Sequence, residues 1–213
     1  MDYNVDQLMD GFRKAAEQKA AAVVFPELSI TGYSCGDLFF QPRLREAALD
    51  GLRRFAEATE GSGTIAVAGL PFLHEDALYN TAAVIQSGRV LALIPKTVLP
   101  NYREFYEKRQ FTSGRELGTG TKEAKVNGAY IPFGTEIIFH DAASSFSFGV
   151  EICEDLWSVI PPSSRTGPSG SQGHIQPLRG NGTHGQGRLP SRTGQAAKRQ
   201  VPLLLCPFLR RRA

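Results

Sequence analysis

Ala22-Val23-Val24-Phe25-Pro26-Glu27, Leu91-Ala92-Leu93-Ile94-Pro95-Lys96 and Phe148-Gly149-Val150-Glu151-Ile152-Cys153 share one design. Each is a short apolar run that ends on a residue able to do chemistry. Runs of this length are too short for a buried helix and suit strands covered on both faces. In layered α/β folds the chain leaving a strand end is where functional side chains gather. A carboxylate, an ammonium and a thiol are therefore expected at one edge of a sheet.

The flanking sequence completes the fold class. Asn4 to Lys19 reads as an amphipathic helix with Val5, Leu8, Met9, Phe12 and Ala16 on one face, and Asp2 or Asn4 as its N-cap. Pro42 to Glu60 is a second helix, with Leu44, Ala48, Leu52 and Phe55 aligned and Gly61-Ser62-Gly63 as its stop. Thr64 to Leu70 is strand-like. Tyr79 to Gln86 and Arg89 to Ile94 form a hairpin across Ser87-Gly88. A long loop is expected from Pro95 to about Asn127, then strands at Tyr130–His140 and Phe146–Ile152. Helices interspersed with strands point to a mixed α/β layered domain rather than a bundle or an all-β sandwich.

Composition divides the chain in two. Of 213 residues, 41% are hydrophobic and 21% charged, which excludes wholesale disorder. No apolar run reaches a membrane span. The opening Met1-Asp2-Tyr3-Asn4 is unlike a secretory signal. Three dispersed cysteines (Cys35, Cys153, Cys206) fit a reducing cytoplasm better than a disulfide or zinc framework. The net charge of +3 averages two unlike parts: all 21 acidic residues lie in 1–155, and 156–213 carries nine basic residues with no acid. Residues 163–213 are rich in Gly, Ser, Pro, Arg and Gln and are expected to be disordered, as a basic tail. The break falls inside a domain (1–162), and an acid-free Arg/Gly/Pro/Ser mixture is what GC-rich DNA gives out of frame. The tail is accordingly read as a product of frame error. The rival, a tail that touches RNA, lacks interleaved aromatics: Phe208 is the one aromatic after Trp157.

A Glu, Lys and Cys brought together would support acyl transfer. Cys153 would attack an amide carbonyl, and Glu27 would carry its proton to the departing amine. Lys96 and a backbone N–H after the cysteine would stabilise the oxyanion. Taken singly, a cysteine after a strand is a common small hydrophobe, and a Lys or Glu at a strand end is a common rim charge. Spacing alone leaves both readings open. Cys35, in a loop with no implied base, is read as a bystander, and the four histidines show no ligand spacing for a metal.

The segments around the trio carry more. Val24-Phe25-Pro26-Glu27-Leu28-Ser29-Ile30-Thr31-Gly32-Tyr33, Pro95 to Arg109 (PKTVLPNYREFYEKR) and Glu151-Ile152-Cys153-Glu154-Asp155-Leu156-Trp157 resemble the nitrilase (carbon–nitrogen hydrolase) superfamily. Within it they are most similar to the glutaminase domains of glutamine-dependent NAD synthetases, and the likeness runs from about Tyr3 to Ser164. The resemblance implies an αββα four-layer sandwich with Glu27 as general base, Lys96 as oxyanion stabiliser and Cys153 as nucleophile. It implies that Glu104 supports the lysine and positions substrate, and that Tyr102, Glu154 and Trp157 line a glutamine pocket. The implied reaction takes glutamine to glutamate and ammonia without a cofactor. In the intact, homo-oligomeric enzyme a synthetase domain then uses ATP and Mg to amidate deamido-NAD.

Against the family pattern this sequence lacks a first strand before the first helix, the Asn/Ser-rich substrate loop and later sandwich elements, and the ATP-pyrophosphatase domain with its phosphate loop. The sandwich is thus expected to be incomplete, and the chain to fold poorly and hydrolyse glutamine weakly or not at all. The alternatives are a stand-alone nitrilase-type amidase and a non-catalytic fragment with a nucleic-acid-associating tail.

Overall fold

The computed structural model describes residues 1–118, 120–141, 146–167, 172–177 and 203–205. Its first layer is a pair of helices, α1 (Asp2–Glu17) and α2 (Pro42–Glu57). The apolar stripe of α1 buries Val5, Leu8, Phe12 and Ala15, and that of α2 buries Ala48, Leu52, Phe55 and Ala56. Helix α1 starts two residues earlier than the sequence suggests and has no side-chain cap. Asn4 instead donates its Nδ2 to the Ile30 carbonyl at 3.2 Å, which ties the helix to the loop after the first strand.

The second layer is a seven-stranded sheet, in chain order β1 (Ala22–Val24), β2 (Ile65–His74), β3 (Ala77–Gln86), β4 (Arg89–Pro95), β5 (Lys122–Val126), β6 (Ala129–Phe133) and the late β10 (Leu203–Leu205). The spatial order is β10-β1-β2-β3-β4-β6-β5. The third layer is a three-stranded sheet, β7 (Phe139–Asp141), β8 (Phe146–Val150) and β9 (Gly173–Ile175), in that order. Period-two alternation divides the large sheet between two cores. Val23, Phe25, Ala66, Ala68, Leu70, Ala83 and Leu93 face the helices. Ala22, Val24, Val67, Ala82, Val84, Ala92 and Ile94 face Phe148, Val150 and Ile175 of the small sheet. Helices, sheet and sheet are three layers of the αββα sandwich. Among the described residues no long helix covers the outer face of the small sheet.

The hairpin across Ser87-Gly88 is present, with both residues at positive φ (49° and 79°) and Gln86 opposite Arg89. That is the twist a two-residue turn needs to match its strands. The expected long loop from Pro95 to Asn127 is partly wrong, because β5 occupies 122–126 and pairs with β6 across Asn127-Gly128 (φ 51° and 86°). The expected single strand Tyr130–His140 is two strands in different sheets. Chain that leaves β6 after Phe133 crosses to the other layer before β7 begins.

Residues 163–167, 172–177 and 203–205 also differ from the disordered tail expected of 163–213. A short helix α4 (Ser163–Thr166) buries Thr166. Strand β9 runs parallel to β8 with Val150 opposite Ile175, and Ile175 is buried. Strand β10 runs parallel to β1 with Val23 opposite Leu204. Bulk composition governs a segment as a whole, whereas an open strand edge accepts any short extended run that presents its backbone. The rest of 163–213 lies outside the described residues.

Phe55 joins the helices to β1, meeting Phe12 edge-on (centroids 6.2 Å apart, 88°) and Phe25 likewise (5.4 Å, 85°). Phe55→Ala should therefore cost about 3–5 kcal/mol, read as a shift in the urea midpoint at unchanged slope. A loss below about 1 kcal/mol would mean that the helix layer is not docked as described.

Candidate active site

Glu27 leaves β1 through Pro26 and a turn in which Leu28 takes positive φ (52°). The turn crosses β2 at Gly69. A Cβ there would lie 2.2 Å from the Leu28 nitrogen, so only glycine admits the crossing. Ile30 N–H donates to the Gly69 carbonyl and Gly69 N–H to Ser29 Oγ, at 3.0 and 3.1 Å. Lys96 leaves β4, its N–H bonded to the Asn80 carbonyl (2.8 Å) and its carbonyl to Gly114 N–H (2.7 Å). Gly114 is the second obligatory glycine, because a Cβ would sit 2.9 Å from the Pro95 carbonyl oxygen.

These anchors deliver Glu27 and Lys96 to each other. Lys96 Nζ lies 2.5 Å from Glu27 Oε1 and 2.8 Å from Glu107 Oε1, with all three side chains almost wholly buried. Glu107 opens the short helix α3 (Glu107–Gln110) and also accepts from the Tyr33 hydroxyl at 2.6 Å. Asn80 Nδ2 donates to Glu27 Oε1 at 2.6 Å. Glu27 Oε1 is thus doubly engaged, and Glu27 Oε2, Glu107 Oε2 and Asn80 Oδ1 are buried without a hydrogen-bond partner among the described residues. Burial works against the Lys96 charge, but the flanking carboxylates outweigh it and hold the ammonium above the ordinary lysine range. Burial, reinforced by repulsion from Glu27, pushes Glu107 upward despite the bonds from Lys96 and Tyr33.

Cys153 follows β8 at the start of a 3-10 turn (Cys153–Trp157) and itself takes positive φ (45°). A non-glycine residue held there is strained and must be over-determined by its surroundings. Its N–H donates to the Pro177 carbonyl (3.0 Å), and Gln176 Nε2 donates to its carbonyl (2.7 Å). Asp155, two residues on, is 1% exposed and reaches the segment after Lys96. Its Oδ1 accepts from Thr97 N–H, Thr97 Oγ1 and Val98 N–H at 2.9, 2.7 and 2.8 Å, and its Oδ2 from Ile152 N–H at 2.9 Å. Burial raises the Asp155 carboxyl against the pull of these four donors.

Residues 1–159 match the carbon–nitrogen hydrolase family model. The chain belongs to the carbon–nitrogen hydrolase family. It is 40% identical over 172 residues to the glutamine-dependent NAD(+) synthetase of Mycobacterium tuberculosis H37Rv, a match covering 79% of this chain and 24% of that protein. It is 31% identical over 161 residues to the Thermotoga maritima enzyme of the same name, covering 76% and 24%. Among solved structures, the glutamine-dependent NAD(+) synthetase of Cytophaga hutchinsonii superposes with a TM-score of 0.70 at 26% identity, over 82% of this chain and 27% of that one. An amidase from Nesterenkonia sp. shares the fold (TM-score 0.58, 22% identity, 83% and 59% covered). The chain spans about a quarter of the length of the curated relatives it matches.

Within this carbon–nitrogen hydrolase domain the residues expected around the trio separate. Tyr102 and Glu154 meet, hydroxyl to Oε1, at 3.0 Å on the surface beside Cys153. Trp157 ends the cysteine turn and is 74% exposed. Glu104 is exposed, and the support of Lys96 expected from it comes instead from Glu107. Counting eight residues on from the lysine fails because the intervening chain is irregular. The burial of Glu107 depends on α3, which a four-residue pattern does not announce. Asn80 and Asp155 also escaped sequence reasoning: a polar residue within a strand, or an acid after a cysteine, carries no visible sign of its partner. Cys35, read from the sequence as a bystander, has its Sγ 3.4 and 3.6 Å from the Gly32 and Thr31 carbonyls and its thiol pushed up by burial.

Lys96→Met would leave Glu27 and Glu107 buried face to face. The expected loss at pH 8 is about 3–5 kcal/mol. Burial and repulsion from Glu27 already push Glu107 upward, and loss of the ammonium that opposes them raises it further above the unfolded value of about 4.3, so the variant gains stability as pH falls and a proton is taken up. Melting curves at pH 5 and pH 8 should show the deficit shrinking at pH 5. A deficit independent of pH would mean that the carboxylates do not depend on Lys96 for charge compensation.

Proposed function

We propose that this domain is a glutamine amidohydrolase, releasing ammonia from the side-chain amide of glutamine through a Cys153 thioester. The observation that carries the reading is the buried Glu27–Lys96–Glu107 ion triad, which the Asp155 carboxylate ties to the cysteine turn. Glu27 Oε1 is occupied by Lys96 and Asn80, so Oε2 is the oxygen with lone pairs available for a proton. Glu27 takes the Cys153 proton as sulfur adds to the amide carbon, and Lys96 with the Glu154 N–H faces the oxyanion. Collapse breaks the C–N bond, and the proton on Glu27 leaves with the nitrogen as ammonia. Water, deprotonated by Glu27, adds to the thioester. The thiolate departs, recovers its proton from Glu27, and glutamate is released.

Tyr102 and Glu154, bonded to each other, and Trp157 at the end of the cysteine turn are the residues we assign to recognition of the α-amino and α-carboxylate ends of glutamine. The hydrolytic step needs no cofactor. ATP and Mg, deamido-NAD, a synthetase domain to consume the ammonia, and homo-oligomer formation are proposed for the intact enzyme rather than for this domain. A nucleophilic thiol suits the reducing cytoplasm. The second reading is a stand-alone nitrilase-type amidase.

Purified chain should release ammonia from glutamine and should form γ-glutamyl hydroxamate when hydroxylamine intercepts the thioester. Cys153→Ala should abolish both, and Glu107→Gln should lower the rate about 100-fold. Hydroxamate from simple aliphatic amides but not from glutamine would favour the amidase. Ammonia release that survives Cys153→Ala would refute both readings.

A further inference from the structure

We infer that Asp155 is the positioning residue that sets Cys153 against Lys96. The two residues belong to different layers. Lys96 hangs from the large sheet through Asn80 and Gly114, whereas Cys153 extends β8 of the small sheet. The layers meet across an apolar interface of Val24, Val84, Ile94, Phe148, Val150 and Ile152, and apolar contact fixes distance but not direction. Two contacts give directional coupling near the site. One is the solvent-exposed Tyr102–Glu154 bond, which water competes for. The other is Asp155, buried and fully engaged.

The division of labour between the Asp155 oxygens makes the argument specific. Oδ1 holds the two residues after Lys96 and Oδ2 holds the residue before Cys153. The carboxylate is planar and rigid, so the separation of the two segments is set by a covalent unit. Asp155 N–H also returns to the Ile152 carbonyl at 3.0 Å, closing the turn that holds Cys153 at φ 45°. Releasing Oδ2 lets that strained residue relax, and releasing Oδ1 lets the lysine segment drift. Either shifts sulfur relative to base and ammonium, and misplacement by about 1 Å is enough to cost about 100-fold in such reactions. An amide cannot replace the carboxylate: its oxygen can satisfy one side, but its NH2 then confronts N–H donors on the other.

The inference rests on the acyl-transfer reading, so its test avoids turnover. Iodoacetamide alkylation at pH 7.5 (a chosen condition, about one unit above histidine's range), resolved by peptide mass spectrometry, reports Cys153, with Cys35 as the gauge of fold in the same chain. Asp155→Asn should slow Cys153 about tenfold and leave Cys35 within about twofold. Thr97→Val, which removes one donor to Oδ1, should slow Cys153 less, and Thr97→Ser should restore it. A Cys153 rate equal to or above wild type in Asp155→Asn, with Cys35 unchanged, would overturn the inference. Should both thiols accelerate together, the fold is lost and the Thr97 pair decides: slowing by Val with recovery by Ser supports positioning, and equal rates overturn it. Wild-type chain that alkylates at Cys153 yet yields no ammonia refutes the glutaminase reading and leaves this comparison intact.

Discussion

A buried ammonium between two buried carboxylates is the constraint around which this domain is organised. Lys96 is 1% exposed and Glu27 and Glu107 4% each, so none of the three can rely on water for its charge. Removing such groups from solvent costs several kcal/mol each unless geometry repays it. Repayment requires the ends of β1 and β4 and the start of α3 to arrive within hydrogen-bond distance. That requirement explains glycine at 69 and 114, where any side chain would hold the converging backbones apart. It also explains Asn80 and Tyr33, which take up further carboxylate lone pairs. The network sets two carboxyl groups against one ammonium, and two of their buried oxygens lack donors among the described residues. Such an arrangement is costly for stability and suited to moving protons.

The readable part of this domain was the part governed by regular geometry. Alternation and apolar run length located β1, β4 and β8, and the rule that chemistry sits at strand ends singled out Glu27, Lys96 and Cys153. Ser87-Gly88 identified its hairpin because a two-residue turn has few sequence solutions. Asn127-Gly128 carries the same signal, and Lys122 to Val126 the same alternation, but the polar residues of that strand disguised it as loop. Glu107 was unreadable for a different reason. Between Pro95 and Glu107 the chain follows no repeat, so sequence distance from Lys96 says nothing about which glutamate turns inward. Asp155 is the same case at short range, since its four bonds exist only once two sheets are stacked.

The chain beyond Trp157 raises a question of mechanical support. The Glu27–Lys96–Glu107 triad, Asn80, Tyr33 and Asp155 all lie within the acid-bearing segment and close among themselves. The outer support of Cys153 does not. Its N–H is taken by the Pro177 carbonyl and its carbonyl by Gln176, in the stretch whose composition departs from the rest. Strand β9, which delivers those groups, is held to β8 along three residue pairs, and short edge pairing of that kind is among the first structure to open.

The two halves of the site therefore differ in rigidity by construction. The base and the oxyanion partner are fixed by ion pairs inside a packed core, whereas the nucleophile is fixed from the inside by Asp155 and from the outside by a short edge strand. In acyl transfer the attacking atom tolerates displacement least, because its orbital must meet the carbonyl carbon at a defined distance and angle. Catalytic competence in this chain thus turns less on whether the charged triad forms than on how firmly the Cys153 turn is held. That makes the inner grip of Asp155 the dominant restraint whenever the outer one loosens.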